Sequence, residues 1–139
     1  MRALVVRQPW AWAIMEGVKK IENRSWQTRY RGPIAIIAGR SKASLRTGIE
    51  FCRSLGLDPP SGLAFGCILG VANLVDIILP SQSDDPFAEG PFCWQLEFPV
   101  KLAQPVPYPG QLSLFSLPTG DQRTESLAAI WPNRQAAHP

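Results

Sequence analysis

The chain has 139 residues, 45% apolar and 18% charged, which is enough for one domain with a real core and excludes a disordered chain. Fourteen prolines and eleven glycines exclude a helical bundle and point to short strands joined by tight turns. The net charge of +3 hides an asymmetry: residues 1–54 hold eleven Lys/Arg against three Asp/Glu, residues 55–139 three against eight. A basic half beside an acidic half suits a nucleic-acid surface, and equally a solvated charged face on a domain whose halves interleave.

In chain order, "ALVV" reads as a first strand. "QPWAWAIMEG" reads as a helix of about two turns, with Pro9 in the first turn, Trp10 and Ile14 on one side, and Gly17 as a left-handed stop. Lys20 to Trp26 suits an extended strand, and "IAIIA", Ile34 to Ala38, is an apolar run of central-strand type. Ser44 to Leu55 has Leu45, Ile49, Cys52 and Leu55 at helical spacing before Gly56. Cys67 to Leu79 is the longest strand, with a bulge expected at Gly70. After a polar loop, "FCWQLEF" alternates Phe92, Trp94, Leu96 and Phe98 against polar neighbours, and Trp94 reads as core. The segment with Pro105, Pro107 and Pro109 reads as an edge or a connection. "TESLAAIW" reads as a last helix capped by Thr124. Together these elements predict an α+β, mainly β, chain: a small barrel or curled sheet of about six strands, with two or three helices closing its ends. The boundaries expected are one domain over 1–118 and a C-terminal tail, a short helix, over 119–139.

Three widely spaced cysteines, Cys52, Cys67 and Cys93, and a single histidine, His138, give no metal motif. Free, buried thiols in a reducing compartment are expected, with no metal and no cofactor. The N-terminal apolar run is too short for a signal peptide, and no segment approaches the ~20 apolar residues of a membrane helix. A soluble, cytoplasmic protein is the expectation.

The chemistry concentrates in "EGVKKIENRSWQTRYRGP", Glu16 to Pro33. In an extended segment Lys20, Glu22, Arg24 and Trp26 share one face, and Glu22 and Arg24 can hold each other. Arg24 can fork two donors onto a phosphate or base edge, while Trp26 and Tyr30 offer flat faces. Such a row suits recognition of an unpaired nucleotide, and also a solvated sheet face. Lys19 is out of register with Glu22 and Arg24, so a turn or bulge is predicted at Val18–Lys20. Arg40 and Lys42 add positive charge nearby. On the long strand, Asn73 shares parity with Leu69, Val71, Val75 and Ile77, which places an amide on an apolar face; it serves either a structural hydrogen bond or the cleft.

"LVVRQPWAWAIMEGVKKIENRSWQTRYRGPIAIIAG" resembles the start of the ASCH (ASC-1 homology) domain family, whose hallmark Gly-x-Lys-x-x-Glu-x-Arg is met by Gly17, Lys19, Glu22 and Arg24. "RGPIAIIAG", "GCILGVANLVDIIL", "GPFCWQLEFPVKL" and "GQLSLF" follow in family order, so the resemblance covers about residues 3–117. It implies a PUA-like barrel whose helix-to-strand motif lines a cleft, and an RNA- or nucleotide-binding role. The binding residues it implies, read with the aromatics above, are Gln8, Trp10, Lys19, Glu22, Arg24, Trp26 and Tyr30. Some bacterial members are enzymes, one deacetylating acetylated cytidine and one a ribonuclease. The alternative is therefore a hydrolase on RNA or a modified nucleoside, with Lys19 and Glu22 as its catalytic pair; a coactivator-type protein-interaction module is a further alternative. Glu22 stands where the amidohydrolase branch has a threonine, and Ile37 where many relatives have a histidine.

Overall fold

In the computed structural model, which describes residues 1–136 with side chains to Trp131, strand β1 spans Arg2–Val6. His138 lies outside the described residues. The run of apolar residues in β1 is buried on both faces: Leu4 and Val6 enter one core, Ala3 the other. The same holds for β3 (Gly32–Ala38), where Ile34, Ile36 and Ala38 face one core and Ala35 and Ile37 the other. β1 and β3 pair in parallel, Leu4 opposite Ile36, which is why both lack polar alternation.

Between them lie helix α1 (Trp10–Met15) and strand β2 (Ile21–Arg24). Pro9 is the N-cap of α1, one position earlier than the sequence suggests. Helix α2 (Leu45–Ser54) follows β3, then β4 (Cys67–Ile78), β5 (Phe92–Pro107), β6 (Phe115–Ser116) and α3 (Glu125–Ala136). The strand order is β2-β5-β4-β3-β1-β6, a curled half-barrel of six strands with three helices. α1 packs its Ala11, Ile14 and Met15 onto one face, and α3 its Leu127 and Trp131 onto the other.

Three features depart from the sequence reading, and a fourth decides between its alternatives. The Pro-punctuated segment is an edge and not a connection: it continues β5 past the last β2 partner, Gln95, and pairs with β4 alone, Gly70 with Lys101, Val71 with Val100 and Cys67 with Pro107 across register shifts. Bulges admit prolines there because the ladder is already interrupted. Those same shifts overturn parity along β4, so that Leu69, Ala72, Leu74 and Ile77 share one core while Asn73 leaves that face and is only half-buried. In α2 the buried line is Gly48 and Cys52, with Phe51 packed beside them, rather than Leu45 and Ile49. Finally, Thr124 does not cap α3; its hydroxyl donates to the Asp121 carbonyl within a preceding 3-10 turn, which Asp121 caps by accepting from the Arg123 amide.

Among the described residues no helix is long and apolar enough to cross a membrane, and no group of three or more His, Cys, Asp and Glu is placed to hold a metal ion.

Candidate functional site

The site begins where α1 ends. Gly17, at φ 77, takes the left-handed turn that a side chain disfavours. The amides of Val18 and Lys19 then both donate to the Ala13 carbonyl, at 3.1 and 3.0 Å, wrapping the chain around the helix terminus. The chain bends at Val18, and this bend turns Lys19 inward before β2 starts at Ile21.

Lys19 is 3% exposed and Glu22 8%. The Lys19 ammonium donates to the Ile21 carbonyl and to Glu22 Oε1 (2.8 Å), and lies 5.9 and 5.6 Å from the ring centres of Trp10 and Phe87. Glu22 Oε2 accepts from Arg24 Nη2 (2.8 Å) and Nε (3.1 Å), the two residues being neighbours on one strand face. Arg24 Nη2 also donates to the Val5 carbonyl at 2.7 Å, tying β2 to the end of β1. Burial alone would raise the Glu22 carboxyl, but the charges of Lys19 and Arg24 and their hydrogen bonds outweigh it and hold the group below its ordinary value. Glu22 is thus an anion at neutral pH, with a cation on each oxygen.

A cavity of about 820 Å³ opens beside this row. Arg7, Trp10, Glu22, Arg24, Trp26 and Arg40 line it, and Tyr108 with the 110–113 segment forms the facing wall. Trp26 is half-buried, edge-on to the fully buried Trp94 at 4.8 Å, and its carbonyl accepts from the Trp94 indole at 3.3 Å. Lys19 does not line this cavity. It lines a second one, of about 380 Å³, which shares Trp10, Glu22 and Asn23 with the first.

Two of the residues singled out in the sequence stand elsewhere. Gln8 is buried; its Nε2 donates to the Ala64 carbonyl and its Oε1 accepts from the Trp12 amide, both at 2.9 Å, so it caps α1 and anchors the loop before β4. Tyr30 donates its hydroxyl to the Pro33 carbonyl at 2.5 Å beneath the Arg2 guanidinium, and lines neither cavity. The sequence reading passed over Arg7 and the 108–113 wall. Arg7 directly precedes the "QPW" turn, a position from which it could have been suspected; the wall is far away in the chain, and although "GQLSLF" marks part of it as family-like, nothing local places it beside Arg24.

The ASCH domain family model matches residues 4–111. Human activating signal cointegrator 1 is 29% identical over 126 residues, covering 82% of this chain and 22% of that protein. The mouse protein of the same name is 30% identical over 92 residues, covering 62% of this chain and 16% of that protein. The chain therefore spans about a fifth of the length of these relatives. The crystal structure of an ASCH protein from Zymomonas mobilis superposes with a TM-score of 0.53 at 16% identity, covering 93% of this chain and 94% of that one, a likeness of fold. With a family-model match over residues 4–111, the chain belongs to the ASCH domain family.

Proposed function

We propose that the chain binds single-stranded RNA, or a nucleotide-sized part of it, in the larger cavity. The observation that carries this reading is a charge imbalance. Three guanidiniums, those of Arg7, Arg24 and Arg40, border one cavity whose single carboxylate, Glu22, is already paired on both oxygens. Arg7 and Arg40 are exposed, suited to phosphate, while Trp10 and Trp26 present ring surface to a base. Lys19, Glu22, Gln8 and Tyr30 then act as supports: the first two hold Arg24, Gln8 fixes the start of α1 behind Trp10, and Tyr30 fixes the entry to β3.

The hydrolase alternative asks Glu22 to act as general base. A useful base has a pKa near the working pH, and the two cations beside Glu22 move it the other way. Binding without turnover is the reading we favour.

The test is fluorescence anisotropy of a short single-stranded RNA across a salt series. The parent should lose affinity steeply with salt, since bound cations are released from the strand. The Arg7→Ala/Arg40→Ala variant should bind more weakly, with a salt slope smaller by about 2. Parental affinity and slope in that variant would remove the cleft assignment.

A further inference from the structure

The second cavity has a chemistry of its own. Three aromatic rings meet edge to face around it: Trp10 and Phe51 with centres 6.0 Å apart, Trp10 and Phe87 at 6.1 Å, Phe51 and Phe87 at 5.4 Å. Its remaining lining is Lys19, Glu22, Asn23, Thr47 and Glu89. Lys19 and Glu22 cancel one another, which leaves the carboxylate of Glu89, exposed and without a hydrogen bond or ion pair among the described residues. A phosphate is therefore unwelcome here, although the neighbouring cavity suits one. A flat group that donates hydrogen bonds is favoured, because the accessible charge is the Glu89 carboxylate, which only accepts, while the Thr47 hydroxyl accepts or donates as the ligand requires.

The outer wall is held in place. The Asn23 carboxamide donates to the Phe87 carbonyl at 2.7 Å and accepts from the amides of Glu89 and Gly90 at 2.9 and 2.8 Å. Three hydrogen bonds from one β2 side chain thus set Phe87 and Glu89 beside Trp10. At about 380 Å³ the space lies in the lower part of the ~300–1,000 Å³ range of small-molecule pockets, fit for one base rather than a longer ligand. Trp10, Glu22 and Asn23 are walls of both cavities, so a strand whose phosphates lie in the first can turn one base into the second.

We propose that this second cavity is a nucleobase subsite that takes a base bearing an amino donor (cytosine, adenine or guanine) in preference to uracil, with Glu89 as the residue that selects it. The inference rests on the RNA-binding reading above. A ring-edge amino group can donate to the Glu89 carboxylate without opposing charge beside it, whereas the one donor on that edge of uracil, its N3–H, is flanked by two carbonyls that the same carboxylate repels.

Four seven-nucleotide RNAs decide it: an all-uridine strand and three with a single central C, A or G. The full chain should bind the substituted strands about tenfold more tightly than the uridine strand. Glu89→Ala, a change at an exposed side chain, should bring the four affinities together. Loss of a nearby negative charge would by itself raise all four alike, so the ratio is the readout. If the uridine strand binds and the other three match it in the parent, or if Glu89→Ala keeps the parental ratios, the subsite is refuted while the cleft stands. If none of the four binds, both readings fall.

Discussion

Gly48 lies against Pro9 so closely that a Cβ at position 48 would stand 2.5 Å from the Pro9 Cδ and 3.1 Å from the Trp10 ring. This contact seats α2 on the start of α1 and brings Phe51 and Thr47 to the smaller cavity. Gly48→Ala should therefore cost about 1–3 kcal/mol through overpacking, against the small gain a helix ordinarily draws from alanine. A urea titration checks it. A parental or higher midpoint would mean α2 gives way freely and does not define the cavity.

Lys19 and Glu22 should prove strongly coupled. Removing either leaves a buried charge short of a partner, so Lys19→Ala and Glu22→Ala should each cost about 3–5 kcal/mol. The double variant should cost clearly less than the sum, since it removes both charges together. Additive losses in a double-mutant cycle would contradict the geometry.

Acid should weaken the fold through Glu22. Its folded-state pKa lies below the ordinary 4.5, because Lys19 and Arg24 together outweigh burial. The stability it contributes is complete above the unfolded-state value and is lost as pH falls through the folded value. The gap in urea midpoint between parent and Glu22→Gln should accordingly be full at pH 7 and shrink progressively below about pH 4.5. A gap that is the same at pH 7 and pH 3 would show that the charge pairing is not what stabilises.

The three thiols should be silent. Cys52, Cys67 and Cys93 are buried, and burial raises each thiol above its ordinary value. The thiolate, the reactive form, is thus scarce at pH 8 as well as inaccessible. A thiol reagent should label none in the folded chain and all three in guanidinium. Rapid labelling of a native thiol would locate an opening that the fold as described lacks.

Local pattern carried far in this chain. "ALVV" and "IAIIA" identified strands because residues buried on both faces must all be apolar, whichever strands they pair with. The turn ahead of β2 was legible as well: Lys19 could join Glu22 and Arg24 only if the chain bent between helix and strand. The parity of Asn73 misled because a bulge reverses inside and outside without a mark in the side-chain sequence beyond one glycine. The contacts of Gln8 were not legible for another reason. A glutamine before a helix can reach into a cleft or back onto amides, and the partner that decided between them, the Ala64 carbonyl, is 56 residues away.

From the sequence alone came most elements of secondary structure, which depend on periodicity, and, through the resemblance that its motifs carry, the family and the Lys19–Glu22–Arg24 row. Tertiary structure alone decided that Arg7, Arg24 and Arg40 border one cavity, that Tyr108 and its successors close it, and that Phe51 and Phe87 meet Trp10 in a second. A concave site is made by strand pairing across the chain, and its long-range contacts leave no period in the sequence from which to read them.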